Sequence, residues 1–311
     1  MRIPFLRQST REFLAEGRRL GLTRLERLHG YVYARWPYHY IGLAQGRHKL
    51  LAILLLPVIW LLNRHSPFQP APDARPGDPA QKRPSFADTY HGKAMPLAEA
   101  KKLVRLVALD RPVRTEVSEQ VLPYTRARRI VLANPERIVL LDCPCRSAKE
   151  HPCLPLDVCI IIGDPLAAFL LEHHPGRCRQ VDADEACAVL EAESRRGHVA
   201  HAFFKDVMLQ RFYAICNCCA CCCGAMSAQR HGVGMLCSSG YLAEVDPAAC
   251  KGCGACVRRC QFQAVSLRDG AAAIDTARCM GCGVCVEGCP EQAVTLRPAP
   301  EKGEPLRVER L

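Results

Sequence analysis

From Pro96 onward, apolar residues recur at Leu97, Ala100, Val104 and Val107, with Lys101, Lys102 and Arg105 between them. That period predicts an amphipathic helix, and Pro96 suits its first turn. Ile138–Leu141 and Val158–Ile162 are short apolar runs that stop at Asp142-Cys143 and at Gly163, which predicts two buried strands. Asp164-Pro165 then opens a helix to about His173, and Asp182 with Glu185 makes a capping-box-like start for a helix stopped by Gly197. Residues 93–240 thus predict a middle domain of α+β or α/β type with cysteines at its strand ends.

The pattern before this domain is different. Residues 50–62 are thirteen uncharged apolar residues between His48-Lys49 and Asn63-Arg64. As a helix they would reach about 20 Å, short of a hydrocarbon core about 30 Å thick. Tyr31, Tyr33, Trp36, Tyr38 and Tyr40 precede them, an aromatic cluster suited to a membrane interface. Residues 1–49 carry ten Lys and Arg against three acids. Residues 1–65 are therefore expected to form a basic, helical N-terminal anchor that lies on or dips into the inner face of a membrane, or docks on a membrane subunit. A core helix buried under the next domain is the alternative. Pro67, Pro70, Pro72, Pro76, Pro79 and Pro84 make residues 66–92 a predicted linker.

Composition changes the picture through cysteine, of which the chain has 21 in 311 residues. Eight stand in Cys250-x2-Cys253-x2-Cys256-x3-Cys260 and Cys279-x2-Cys282-x2-Cys285-x3-Cys289-Pro290. Three closely set thiolates wrap three corners of a cubane, and the fourth is carried by the following turn to the other cube. One cluster is thus expected on Cys250, Cys253, Cys256 and Cys289, and the other on Cys279, Cys282, Cys285 and Cys260. The halves also match at Asp246 and Asp275, and at Gln263–Arg268 and Gln292–Arg297, as a duplication would produce. Gly252, Gly254, Gly281 and Gly283 suit positive φ and N–H donation to sulfur. Zinc ribbons use two C-x2-C pairs across a longer loop, so zinc fits this spacing poorly. No cleavable secretory signal is read at the start of the chain, and such tight spacing disfavours disulfides.

Residues 241–298 resemble the bacterial-type two-[4Fe–4S] ferredoxins, which implies one-electron transfer between low-potential clusters. One departure is Gln261, which stands where the second half has Pro290. Its N–H is expected to bond sulfur beside Cys260 and raise that cluster's potential.

Thirteen cysteines remain. Ten form two blocks, Cys143, Cys145, Cys153 and Cys159, then Cys216, Cys218, Cys219, Cys221, Cys222 and Cys223. The spacing of Cys143 and Cys145 puts both on one face of an extended strand. A further iron–sulfur cluster bridging the blocks is the leading expectation, with zinc and redox-active thiols as alternatives. The order of CPCR, HPC, CNCCACCC and a two-cluster tail resembles a group of bacterial and archaeal multi-cluster 4Fe–4S ferredoxin-domain proteins, which implies electron transfer and no defined substrate. Cys178, Cys187 and Cys237 are isolated and expected to be small buried hydrophobes. His173-His174 is expected to serve a helix end, while His198 and His201 flank an expected turn as lesser ligand candidates.

The formal charge of +11 counts every cysteine as neutral, and clusters on thiolates would lower it. No P-loop, dinucleotide fingerprint or nucleophile elbow is present, so ATP, NAD and acyl chemistry lack support. The whole predicts an α+β chain with a duplicated ferredoxin-like 2[4Fe–4S] domain, a cysteine-rich α/β-type middle domain, a helical arm and a tail at 299–311. Its expected role is electron carrier or wire between redox protein partners, in the cytoplasm or peripheral at the membrane's inner face, rather than an enzyme with its own substrate. A reductase with a catalytic cluster at the dense cysteine block is the rival. A nucleic-acid-binding redox sensor lacks a recognisable motif.

Overall fold

The computed structural model describes residues 6–47, 90–106, 113–122 and 129–310. The apolar run 50–62 and most of the expected linker lie outside the described residues. No helix among the described residues is long and apolar enough to cross a membrane.

Three helices open the described chain: α1 (Gln8–Arg19), α2 (Arg24–Arg35) and α3 (Pro37–Ala44). Thr23 caps α2 reciprocally, its hydroxyl accepting from Glu26 N–H at 3.2 Å while its own N–H donates to Glu26 Oε2 at 2.8 Å. The middle domain follows as β1 (Tyr90–Met95), α4 (Leu97–Leu106), β2 (Val113–Glu116), β3 (Arg129–Asp142), α5 (Pro144–Ser147), β4 (Asp157–Asp164) and α6 (Leu166–His173). It continues with β5 (Cys178–Val181), α7 (Ala183–Arg195), β6 (Val199–Lys205), β7 (Arg211–Cys218), α8 (Gly224–Arg230) and β8 (Leu236–Cys237). Seven of its strands run in the order β2-β3-β4-β7-β6-β1-β8, and β5 pairs with β3.

The three helices and the two strands expected in the middle domain are present. Ala168 N–H donates to Asp164 Oδ1 at 3.1 Å at the start of α6, and Glu185 N–H to Asp182 Oδ1 at 2.8 Å at the start of α7. Two expectations for this part of the chain need correcting. Strand β1 begins at Tyr90, inside the stretch expected to be linker. His201 lies within β6, opposite Cys216 of β7, not beside a turn.

Side chains alternate across the sheet, as its period of two requires. Val139, Leu141, Cys159, Ile161 and Ala214 face one core, and Ile138, Leu140, Ile160, Ile162 and Ile215 face the other. Helices α4 and α7 cover the second core, joined there by Leu306 and Val308 of the expected tail. The first core holds Cys143, Cys145, Cys159, Cys216, Cys218 and Cys223, and α1–α3 cover it.

That cover corrects the expected position of the aromatic cluster. Phe13 packs on Phe169 with ring centroids 5.6 Å apart, and Tyr31 meets Phe169 edge-on at 6.0 Å. Tyr33 and Tyr213 hydroxyls are 3.0 Å apart, and Tyr38 donates to Asp142 O at 3.1 Å. His173 and His174 tie the same helices down, through Thr10 Oγ1 and Ala34 O, each at 2.8 Å. Of the five aromatic residues, only Trp36 is exposed. Burying such rings beats leaving them for an interface, because each hides a large apolar area and its polar end finds a partner.

The last part contains β9 (Tyr241–Val245), α9 (Ala255–Arg259), β10 (Val265–Arg268), β11 (Ala271–Ile274), α10 (Val284–Glu287) and β12 (Val294–Pro298). Strand β9 pairs antiparallel with β12, and β10 with β11, around a small core of its own.

Candidate metal centres

The local geometry of the C-terminal part recurs at matching positions. Gly252 and Gly281 have φ of 64° and 60°, and Gly254 and Gly283 have φ of 72° and 80° immediately before α9 and α10. A side chain at Gly281 would also put its Cβ 2.1 Å from Tyr241 O, so only glycine lets the loop pass.

Cys250, Cys253, Cys256 and Cys289 line one cavity together with Gly252 and Gly254. Cys253 is exposed there. Cys260 lies near Cys279, Cys282 and Cys285, and their mutual charge is felt: burial first, then Cys279 and Cys260, push Cys285 up to about 12. Burial likewise raises Cys282. Backbone N–H groups aim at sulfur, Ala264 at Cys260 and Ala293 at Cys289, each at 3.3 Å, and Ala272 at Cys250 at 3.4 Å. The Ala272 bond and one from Gly252 lower the Cys250 thiol. Thiols in fours with N–H donors at sulfur fit [4Fe–4S] clusters, whose bridging and ligand sulfurs accept such bonds.

Gln261 does something the sequence did not suggest. Its Oε1 accepts from Ala220 N–H at 2.7 Å, in the dense cysteine block, and its Nε2 donates to Gly197 O at 2.9 Å. Arg259 adds bonds to Ser194 O and Arg195 O at 3.0 and 2.8 Å. Phe262, Met280 and Cys282 pack against the first core of the middle domain, to which Val284 belongs. Phe262 also approaches the buried ring of His201, with centroids 6.3 Å apart. The C-terminal unit is therefore docked beside the middle cysteines by its Cys260 and Cys282 side.

The ten middle cysteines fall into two neighbouring groups, not one convergence. Six form a closed circuit: Cys216 and Cys159 at 3.9 Å, Cys159 against Cys143, Cys143 against Cys145, Cys145 against Cys223, Cys223 and Cys218 at 3.2 Å, with Cys216 near Cys218. All six line a single cavity beneath α2 and α3, bordered also by Tyr33, Pro37 and Ile41. The neighbouring Cys145 thiol, with burial, pushes Cys143 up to about 12. Cys143 and Cys145 reach this cavity differently from the expected extended strand. Strand β3 stops at Asp142, and Pro144 starts the short helix α5 that carries Cys145.

The second group is Cys153, Cys219, Cys221 and Cys222, whose sulfurs all lie within 4.8 Å of one another. Cys153 comes from the loop before β4, and the other three from the turn between β7 and α8. Burial raises Cys153 to about 11. Burial also pulls Cys221 upward, but hydrogen bonds from Cys153, Cys219 and Cys222 outweigh it and leave Cys221 lowered.

A buried cation stands between the groups. Arg146, on α5, is 1 % exposed, pairs with the fully buried Glu193, and donates to Asn217 O at 3.3 Å. His198 Nδ1 lies 2.6 Å from the same carboxylate. Arg146 feels both Cys143 and Cys219, lines the cavity, and keeps a buried Nε without a partner. Tyr33, Tyr90 and Tyr213 border the cavity too, with Lys205 Nζ 4.8 and 4.7 Å from the Tyr33 and Tyr90 ring centroids. Burial lowers Lys205 to about 8. These groups were invisible to motif reading, because a lone Arg, Tyr or Lys has no spacing signature.

The isolated cysteines stand apart from both groups. Cys178 lies 3.3 Å from Leu170 O, Cys187 3.9 Å from Lys101 O and Cys237 3.6 Å from Gly92 O.

Residues 242–290 match a family model described as a 4Fe-4S dicluster domain. Among curated proteins, none matches the chain. The match implies [4Fe–4S] clusters in the C-terminal part and iron–sulfur electron transfer as its chemistry.

Proposed function

We propose that this chain is an electron-wire protein carrying two [4Fe–4S] clusters in its C-terminal part and a further iron–sulfur cluster in the middle domain. Cys250, Cys253, Cys256 and Cys289 would hold one C-terminal cluster, and Cys279, Cys282, Cys285 and Cys260 the other. When bound, these clusters supply one-electron transfer at thiolate-ligated iron. The protein's own part is to hold, insulate and orient. Glycine loops and alanine N–H groups cradle sulfur, α1–α3 keep water from the middle cavity, and Arg146 offers that cavity a positive charge.

The observation that carries this proposal is the docking of Cys282, Phe262 and Met280 against the core that contains Cys143, Cys145, Cys159, Cys216, Cys218 and Cys223. Two cysteine systems in one packed unit suit electron exchange between them, while the exposed Cys253 suits exchange with an outside partner. That partner would be a redox protein donor or acceptor. Residues 50–62 would meet a membrane surface or membrane subunit.

Anaerobic reduction followed by rapid-freeze EPR tests the proposal. The middle-domain signal should grow after those of the C-terminal part, and Cys253→Ser should slow it. An unchanged rate in that variant would contradict a wire.

A second function, reduction of a bound substrate at the middle cavity, is favoured by the hydroxyl-bearing Tyr33, Tyr90 and Tyr213 on its wall. A substrate-dependent spectral change confined to the middle centre would select it.

A further inference from the structure

The ten middle cysteines approach one another in pairs in both groups, as at Cys218 and Cys223, but differ in how many sulfurs gather at one point. Cys153 lies 3.2 Å from Cys221 and 3.8 Å from Cys219, and Cys221 lies 3.7 Å from Cys222. A single tetrahedral ion with metal–sulfur bonds of about 2.3 Å holds its four sulfurs about 3.8 Å apart. The thiolates of a cubane each sit on a different iron and must stand farther apart. The same chain provides the comparison. Among the described residues, this is the one set of three or more ligating side chains gathered within 4.8 Å, and neither the dicluster cysteines nor the circuit of six is so compact.

We infer that the dense cysteine block is two centres: a mononuclear tetrathiolate ion on Cys153, Cys219, Cys221 and Cys222, beside a circuit of six cysteines that takes the iron–sulfur cluster. The second half rests on the function proposed above; the first does not. The ion is a thiophilic, tetrahedral divalent metal, zinc or ferrous iron. It displaces the thiol protons on binding and changes no oxidation state.

Two features support a built site. Cys219 and Cys222 make a C-x2-C step within one turn, which suits two ligands on one ion. That turn is held from both sides at Ala220, its N–H by Gln261 and its carbonyl by Arg230 Nη1 at 2.6 Å. Cys153 then closes the fourth position from a separate loop. The ion would staple that loop to the turn beside the neighbouring cavity, which Cys219 and Cys222 also line.

The test uses the full chain purified anaerobically, with zinc, iron and acid-labile sulfide counted per chain. In the unmodified protein, about one zinc, or about one iron in excess of sulfide, is expected. Zinc-edge or iron-edge X-ray absorption then distinguishes the two metals, and a zinc ion should show four sulfurs at about 2.3 Å with no second metal nearby. Equal iron and sulfide with no zinc would overturn the inference without any variant. Cys153→Ser/Cys221→Ser should lose the single ion and no sulfide; loss of iron together with sulfide, or no loss of metal, would overturn it. Cys143→Ser/Cys145→Ser should lose sulfide and keep the ion. Sulfide unchanged there would remove the middle cluster while leaving the tetrathiolate ion in place.

Discussion

Gln261 accepts a hydrogen bond from the backbone N–H of Ala220 at 2.7 Å, which joins the loop after Cys260 to the turn that carries Cys219, Cys221 and Cys222. Proline at this position, as at Pro290 in the other half, would leave Ala220 N–H and Gly197 O without that partner. Gln261→Ala should therefore destabilise the docked pair by about 1–3 kcal/mol. Chemical denaturation, with hydrogen exchange at residues 219–223, measures this. Unchanged stability and protection would show that the bridge contributes nothing.

Cys260→Ser should damage the cluster assigned to Cys279, Cys282 and Cys285, although Cys260 belongs to the other motif. EPR of the reduced protein reads which signal is lost. Loss of the cluster on Cys250, Cys253 and Cys256 would reverse the ligand assignment.

Arg146 and Glu193 are a buried pair whose members are 1 % and 0 % exposed. Arg146→Met leaves the Glu193 carboxylate to His198 and Arg196 alone and should cost about 1.5–3 kcal/mol, whereas Arg146→Met/Glu193→Met should lie closer to the unmodified protein. Denaturation of both variants gives the coupling. Equal losses in the two would show that the pair does not act as a unit.

His29 contacts the Tyr40 hydroxyl at 2.8 Å, and burial, with the nearby Lys205 charge, lowers it to about 4. An unfolded histidine titrates near 6.5, so between about 6.5 and 4 the unfolded chain binds more protons. Stability present above that window should fall as pH drops through it. His29→Gln should flatten the fall in Tm across pH 7 to 5, and an equally steep fall in the variant would assign the effect elsewhere.

Much of this arrangement was legible in the sequence. The short apolar runs at Ile138–Leu141 and Val158–Ile162 became paired strands, and Asp164 and Asp182 stand at the helix starts they announced. Cysteine spacing marked both systems, because closely spaced thiols in short segments are brought together by local geometry. What it could not reveal is the division of the second system, which depends on how the loop of Cys153 meets a turn more than sixty residues later. Strands β6 and β7 were missed because both their faces are buried, which erases the alternation of a half-exposed strand, while buried His201, Lys205, Arg211 and Asn217 break up the apolar run that marked β4. The aromatic cluster misled for a related reason. Tyr33 and Tyr38 look alike whether their hydroxyls meet lipid headgroups or Tyr213 and Asp142.

Acid-labile sulfide in anaerobically purified full-length protein tests the central claim most directly, because zinc and mononuclear iron contribute none. Three [4Fe–4S]-sized clusters give about twelve sulfides per chain, and the two of the dicluster part alone give about eight. The account predicts a count near twelve, falling to about eight in Cys143→Ser/Cys145→Ser. A count near eight in the unmodified protein would contradict a cluster in the middle domain.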